Sequence, residues 1–157
     1  MIREVNKNDL DEILQLYLYL HEKSVPEDSE QLRNTWENII NDANHHLIVC
    51  EIDGKIVASC VCVIIPNLTR NVRPYAFVEN VVTHGEYRKK GYATACLNFA
   101  RKIAEENHCY KMMLLTGASY ISAETLREQK IECDKMQKAL INAVALKDCL
   151  HKVFFIY

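Results

Sequence analysis

Residues 75–107 constrain the fold more than any other part of the chain. An apolar strand-like run is followed by the basic turn Arg88-Lys89-Lys90-Gly91-Tyr92-Ala93 and then by an amphipathic helix. A turn between a strand and a helix start leaves backbone N–H groups without partners at the positive end of the helix dipole, and such groups bind phosphate. The alternative is a solvated basic turn that only caps the helix. The flanking elements favour a site for a diphosphate, because they are the context that such a site requires.

The rest of the pattern predicts a mixture of strands and helices. Asp53-Gly54 between two apolar runs is a strong hairpin signal, and Asn8 or Asp9 can cap the first helix. Strands are predicted at residues 2–5, 47–52, 55–65, 75–83 and 111–116, helices at about residues 10–20, 31–41 and 94–107, and a loop at residues 66–74. The predicted order is β-α-α-β-β-β-α-β.

The turn also resembles a known signature. Arg88, Gly91 and Ala93 fill the spacing Arg-x-x-Gly-x-Gly/Ala, which resembles the acyl-CoA signature of the GNAT superfamily of N-acetyltransferases. The resemblance covers about three quarters of the chain, residues 1–116. It implies an α/β (α+β mixed) fold, with a central mixed, mostly antiparallel sheet flanked by helices, and leaves open whether the C-terminal strands complete that sheet. We expect one acyltransferase-like domain over residues 1–157, with residues 117–157 divergent.

The resemblance implies acetyl-CoA as the acyl donor. The strand backbone at Val81, Val82 and Thr83 would bind the pantetheine arm. The turn and the helix start would bind the pyrophosphate through backbone amides, with Gly91 letting the backbone approach the phosphates and Ala93 leaving room for them. The residues expected there are Arg88, Lys89, Lys90, Gly91, Tyr92, Ala93 and Thr94.

Acetyl transfer to an amine requires a base, and Glu79 is the best candidate. It lies on the predicted fourth strand, where members of the family often place a carboxylate, and in a regular strand it shares a face with Phe77, Val81 and Thr83. The alternative is an exposed or hydrogen-bonded strand glutamate. Asn80 faces the opposite side in a regular strand, although a bulge would change that. The histidines His45, His46 and His84 are weaker candidates, because a lone loop histidine is usually a surface residue.

The chain departs from the family after residue 117. Members often carry Asn-x-x-Ala-x-x-x-Tyr on the next helix, where the tyrosine protonates the CoA thiolate, but here Ser122, Thr125 and Gln129 occupy those places. Tyr120 is the nearest phenol and is a candidate replacement. The alternative is an ordinary loop or helix-start tyrosine, and the spacing favours that alternative. Residues 128–157 permit a helix followed by a short strand from residue 153.

Composition excludes several other classes of protein. A formal net charge of -2, with a short basic cluster, argues against a nucleic-acid partner, and no apolar run approaches the roughly 18 residues of a membrane span. The N-terminus lacks an apolar signal core, so the cytoplasm is expected. The 7 scattered cysteines show no zinc-type spacing, and no metal is expected. A homodimer is conceivable if another chain completes the sheet.

Two functions follow from the resemblance, and a third interpretation, an unrelated α/β protein, also stays open. The first is an N-acetyltransferase that moves an acetyl group directly from acetyl-CoA to a primary amine of a small molecule or peptide. The second is a CoA-binding sensor or regulatory protein that keeps the basic turn at residues 88–93 (the phosphate turn) and has lost catalysis. The acceptor cannot be identified from the sequence, since the segments that would bind it vary independently of the phosphate turn.

Overall fold

A single mixed sheet organises the protein. The computed structural model describes residues 1–20, 22–116 and 152–156. Within them the strands are β1 (Ile2–Glu4), β2 (His45–Ile52), β3 (Lys55–Ile65), β4 (Tyr75–Thr83), β5 (Met112–Thr116) and β6 (Lys152–Ile156). They lie side by side in chain order, and each described pair is antiparallel except β4 and β5, which are parallel. The predicted mixed, mostly antiparallel sheet is confirmed, and β6 extends it beyond β5.

The helices occur in the predicted order. They are α1 (Leu10–Tyr17), α2 (Glu30–Asn41), a single turn α3 (Thr69–Val72) and α4 (Tyr92–Glu106), with short 3-10 turns at Leu18–Leu20 and Gly85–Tyr87. The turn α3 lies in the predicted loop, and Arg70 and Asn71 within it have left-handed backbone angles. Helix α4 begins at Tyr92 rather than Thr94, because the turn before it ends at Gly91. In the part of the chain that is described, no helix is long and apolar enough to cross a membrane.

Local chemistry explains several element ends. Asp53 and Gly54 have φ of 50° and 76°, the positive values that a tight two-residue hairpin needs. The Ser29 hydroxyl accepts a hydrogen bond from the Leu32 amide at 3.1 Å and so caps α2. Asp9 occupies the cap position of α1, but its side chain does not bind a helix amide.

Asp9 instead joins a network with Arg3. The Arg3 guanidinium contacts both oxygens of Asp9, at 2.6 and 3.0 Å, and it also donates to Glu51 at 2.9 Å. Burial by itself would raise the pKa of Asp9, but hydrogen bonds from Arg3 and from the Asn6 amide outweigh it and hold that pKa below its usual value. The network ties β1, α1 and β2 together.

Each sheet face carries its own core. Helix α4 covers one face, and its buried residues pack there with alternate residues of β2 to β5. Helices α1 and α2 cover the other face with Ile13, Leu16, Trp36, Leu47, Val49, Ile56, Val61 and Val82. The face to which a β4 side chain points therefore decides which helices it meets.

Candidate functional site

Strand β4 contains a bulge at Asn80. Glu79 pairs with Val61 of β3, whereas Val82 pairs with Ser59, so β4 holds one more residue than β3 between these two pairs. Asn80 has φ of 51°, a left-handed conformation that asparagine tolerates better than most residues. The irregularity that the sequence left open is therefore present.

The bulge changes which residues share a face. Before it, Ala76 and Val78 belong to the α4 core, and after it Val81 packs against that same core while Val82 joins the α1/α2 core. Glu79 lies opposite Val61 and so faces α1 and α2. The expectation that Glu79 shares its face with Val81 and Thr83 is wrong, because the extra residue reverses the alternation between them.

Strands β4 and β5 also stop pairing near the bulge. Their described pairs are Ala76 with Met112, Phe77 with Met113 and Val78 with Leu114. From Glu79 onward, β4 has β3 on one side and, within the described residues, no ladder partner on the other. Unpaired N–H and C=O groups of a strand bind an extended ligand well. The predicted pantetheine-binding residues Val81, Val82 and Thr83 lie along this open edge.

The open edge leads to the turn that precedes α4. Gly91 has φ of 82°, and a Cβ built there would meet no atom within 4 Å. Among the described residues, no group accepts a hydrogen bond of standard geometry from the amides of Gly91, Tyr92, Ala93 and Thr94. These amides begin a helix of 15 residues, whose dipole favours an anion at this end.

The basic side chains of the turn stay near it. The Nε of Arg88 lies 3.4 Å from the Thr83 carbonyl oxygen, and the Lys90 ammonium lies 5.0 Å from the centre of the Tyr87 ring. Arg88, Lys89 and Lys90 are exposed, so their charge is available to a ligand at the turn. The structure thus brings together the predicted residues 88–94 at the end of the open β4 edge.

Glu79 is the predicted base and faces the α1/α2 side. Its side chain is half-buried, and among the described groups none donates a hydrogen bond or forms an ion pair with its carboxylate. Among the described residues, Glu79 therefore does not make the hydrogen bonds that a structural glutamate would make. The Glu79 carboxylate is thus not committed to a structural contact within the described part of the chain.

The histidines are placed differently. His84 Nδ1 accepts from the Glu86 amide at 3.3 Å, and its Nε2 lies 3.0 Å from the Tyr19 hydroxyl. Both ring nitrogens thus have partners within the protein. His46 contacts Glu4 of β1 at 3.1 Å, and His45 lies on β2, separated from β4 by β3. Burial lowers the pKa of His45. None of the three lies at the bulge.

Two polar residues on the α1/α2 side were not predicted from the sequence. Ser59 of β3 pairs with Val82 and is fully buried, and its Oγ has no hydrogen-bond partner of standard geometry among the described residues. Tyr17 ends α1, and its ring packs in the α1/α2 core, where burial raises the pKa of Tyr17 to about 12. No local sequence pattern connects these two residues, because they lie on different elements.

A cleft of about 690 Å³ lies between α1 and the start of β3. Its walls include Asp11, Gln15, Tyr19, Lys55 and His84. Tyr120, the predicted thiolate acid, lies outside the described residues, as does the rest of the segment 117–151. In the described part of the chain there is no group of three potential metal-ligating side chains.

The residues present fit an acyl-CoA. The open β4 edge suits an extended amide-bearing arm, and the free amides at Gly91 to Thr94, beside three basic side chains, suit a diphosphate. A side chain at position 91 would be strained by the positive φ, although the space around its Cβ is open.

Comparisons with known proteins agree with this fit. Residues 8–126 match the family model described as "Acetyltransferase (GNAT) family". A protein of Agrobacterium tumefaciens str. C58 assigned as an acetyltransferase is 33% identical, with a TM-score of 0.74 over 82% of this chain and 89% of that one. An acetyltransferase of Trypanosoma brucei is 26% identical, with a TM-score of 0.67 over 83% of this chain and 88% of the other.

Glucosamine-6-phosphate N-acetyltransferase from Arabidopsis thaliana is similar in fold alone. It is 22% identical, with a TM-score of 0.69 over 83% of this chain and 87% of that one. The family match spans well over half of the chain and agrees with the strand, turn and helix that carry the site. The chain therefore belongs to the GNAT family of acetyltransferases.

Proposed function

We propose that this protein transfers an acetyl group from acetyl-CoA to a primary amine of a small molecule or peptide. The observation that carries the proposal is the β4 edge, which has no β5 partner from Glu79 onward and leads to residues 91–94, whose amides have no acceptor among the described residues. It offers one continuous binding surface, with a carboxylate at its inner end and an anion site at its outer end.

The chain's own residues would hold the donor in two ways. The backbone of Val81, Val82 and Thr83 would bind the pantetheine arm by strand-like hydrogen bonds, since that edge has no partner among the described strands. The amides of residues 91–94 would bind the pyrophosphate, supported by the charges of residues 88–90. Acetyl-CoA supplies the activated acetyl thioester when it is bound.

Glu79 would act as the general base. An amine attacks only in its neutral form, so a group must remove the proton that it carries or releases during transfer. The Glu79 carboxylate is half-buried and has no hydrogen-bond or ion-pair partner among the described residues, and it faces the side of the sheet on which α1 and α2 lie. The amine would thus approach from the α1/α2 side. Residues 66–74, whose length is not constrained by the phosphate turn, would help to select it. Tyr120 stays a candidate proton donor to the thiolate.

Replacement of Glu79 by Gln tests the proposal. The amide keeps the shape of the carboxylate but cannot accept the proton, so we expect kcat to fall by about 10²- to 10⁴-fold. The Kd for CoA should stay within about twofold, because backbone groups dominate donor binding. Turnover would be followed as release of the CoA thiol with a panel of amines, and Kd by isothermal titration calorimetry.

Glu106→Gln is the matched control. It removes the same charge from the last turn of α4, where Glu106 forms an exposed pair with Lys102 and no other ion pair within the described part of the chain. It should leave both kcat and Kd unchanged. If the wild-type protein binds CoA tightly but acetylates no amine, the enzyme proposal is wrong and a CoA-binding sensor takes its place. A Glu79→Gln variant with normal turnover would contradict the role of Glu79 alone.

A further inference from the structure

An exposed tyrosine packs on the segment that joins β4 to the phosphate turn. Tyr19 lies in the 3-10 turn Leu18–Leu20 that follows α1, is 38% exposed and belongs to neither sheet core. Its ring centre lies 4.7 Å from that of His84, and the Arg88 guanidinium carbon lies 6.0 Å from it. Core packing therefore does not explain a large ring at this position, whereas contacts with residues 84–88 do.

His84 uses both ring nitrogens to fix this segment. Its Nδ1 accepts a hydrogen bond from the Glu86 amide at 3.3 Å and so caps the 3-10 turn Gly85–Tyr87. Because Nδ1 is an acceptor, the neutral imidazole carries its hydrogen on Nε2, which lies 3.0 Å from the Tyr19 hydroxyl and donates to its oxygen. The imidazole thus joins the end of α1 to the turn that leads away from β4.

Gly85 makes the close approach of Tyr19 possible. A Cβ at Gly85 would lie 3.3 Å from Cε1 of Tyr19, which is closer than an ordinary van der Waals contact. Unlike Gly54 and Gly91, Gly85 does not have a positive φ, so the backbone conformation does not call for glycine here. The feature that this glycine accommodates is therefore the tyrosine ring, which lies directly against the 3-10 turn.

The phosphate turn is also held from the other side of the sheet. Tyr87 and Tyr92 pack against the α4 core, with their ring centres 6.3 Å apart. Tyr19 meets the same stretch of chain from the α1 side, through His84. The amides of residues 91–94 bind one diphosphate only if they point to the same place, so contacts on both sides fix where the turn lies.

We propose that Tyr19 is a positioning residue for donor binding, which holds the phosphate turn through His84 so that the amides of residues 91–94 converge on the CoA pyrophosphate. This role rests on the proposed function, because it requires that the turn binds CoA. Tyr19 acts through the segment between β4 and α4 rather than by touching the donor. It gives the end of α1 a part in donor binding, and it gives His84 a structural role instead of that of a base.

Two substitutions at Tyr19 remove these contacts in steps. Tyr19→Phe loses only the hydrogen bond to His84, so we expect the Kd for CoA to rise by about 3-fold. Tyr19→Leu also loses the ring contacts with His84 and Arg88, so the rise should be about 10-fold. The KM for acetyl-CoA should rise by similar factors, while kcat at saturating acetyl-CoA should stay within about twofold, since the contacts are the same in the ground state and the transition state. Titration calorimetry and steady-state kinetics measure these constants.

His84→Asn tests whether the effect passes through His84. The asparagine side-chain oxygen can still accept from the Glu86 amide, as in an Asx turn, but this shorter side chain does not reach the Tyr19 hydroxyl. We expect the Kd for CoA to rise by about 10-fold. The double variant Tyr19→Phe/His84→Asn should bind CoA no more weakly than His84→Asn alone, because the hydrogen bond is already lost. Rises that multiply in the double variant would overturn the role of Tyr19.

Tyr110→Leu is the matched control. Tyr110 is likewise a tyrosine beside another ring, that of Tyr75 at 6.3 Å, with the Arg70 guanidinium carbon 5.9 Å from its centre. It lies just before β5, at the end of β4 away from the phosphate turn. The variant thus loses comparable contacts, but it should keep the Kd for CoA and the backbone amide signals of residues 86–92 in NMR spectra of the ligand-free protein. Tyr19→Leu should change both.

The outcomes separate the role of Tyr19 from the proposed function. An unchanged Kd for CoA in Tyr19→Leu, an equal rise in Tyr110→Leu, or a loss of kcat with an unchanged KM for acetyl-CoA would each overturn the role and leave the acetyltransferase intact. A wild-type protein that binds CoA but acetylates no amine would contradict the proposed function, and the Kd values would still decide the role of Tyr19. A wild-type protein that does not bind CoA would remove both.

Discussion

Gly91 shows how one residue connects backbone conformation to ligand binding. It adopts φ of 82° immediately before α4, and the space before it is open. In Gly91→Ala the left-handed conformation costs about 1–2 kcal/mol, so the melting temperature should fall by a few degrees. In the proposed complex the pyrophosphate would lie against the backbone of this turn, so we expect the added methyl group to raise the Kd for CoA by about 10-fold or more. Differential scanning calorimetry and titration calorimetry measure the two effects.

Gly54 provides a matched control for Gly91. It has φ of 76°, and its Cβ position is equally open, but it lies in the β2–β3 hairpin. Gly54→Ala should therefore cause a similar loss of stability with an unchanged Kd for CoA. Equal losses of CoA affinity in the two variants would mean that strain, rather than occupancy of the phosphate space, weakens binding, and that the turn is not the phosphate site.

At the scale of elements, the N-terminus of α4 contrasts with its middle. The amides of residues 91–94 have no described acceptor, whereas the middle of the helix is hydrogen-bonded and packs against β3 through Cys96, Ala100 and Ile103. We expect hydrogen exchange in residues 91–94 to be fast in the free protein and slow with CoA, because the ligand would accept those hydrogens. Exchange in residues 98–104 should be slow in both states. Mass spectrometry of peptides covering the two segments measures this, and unchanged exchange at the turn would contradict pyrophosphate binding there.

The elements differed in how far local sequence predicted them. The hairpin at Asp53-Gly54 and the strand, turn and helix of residues 75–107 follow from local patterns, and the structure contains them. The bulge in β4 has no such signal, since residues 75–83 form one continuous apolar-rich strand in sequence. It becomes visible only when the register against β3 is known. The predicted orientation of Glu79 relative to Val81 was wrong because the sequence alone does not show this register.

At the scale of the whole molecule, the α4 core is rich in buried thiols. Burial raises the pKa of Cys62 and Cys96 from 9.0 to about 12 and that of Cys60 further still. In the unfolded chain these thiols ionise near pH 9, whereas in the folded protein they stay protonated. Their stabilising effect is therefore complete below pH 9 and is lost as the pH rises above it. The free energy of unfolding should fall by about 1.4 kcal/mol per pH unit for each thiol, as urea denaturation between pH 8 and 11 would show.

A single substitution measures how much one thiol contributes to this pH dependence of stability. Cys62→Ala removes one of the titrating groups, so the slope of the unfolding free energy above pH 9 should become shallower by about 1.4 kcal/mol per pH unit. Stability at pH 7 would also fall, because a small cavity replaces the sulfur. The slope, rather than the absolute stability, is the informative quantity. An identical slope in the variant would show that Cys62 ionises normally in the folded protein.

The amino-acid sequence determined the turn at residues 88–93 by itself, because a strand, a glycine with positive φ and a helix start are consecutive along the chain and need no distant partner. The same holds for the order of elements that is typical of the family. Tertiary structure decided the side of the sheet that Glu79 faces, the point at which β4 and β5 separate, and the bulge at Asn80. Each of these depends on the register of residues far apart in sequence, so Glu79 and the turn take their relative positions only when the sheet has formed.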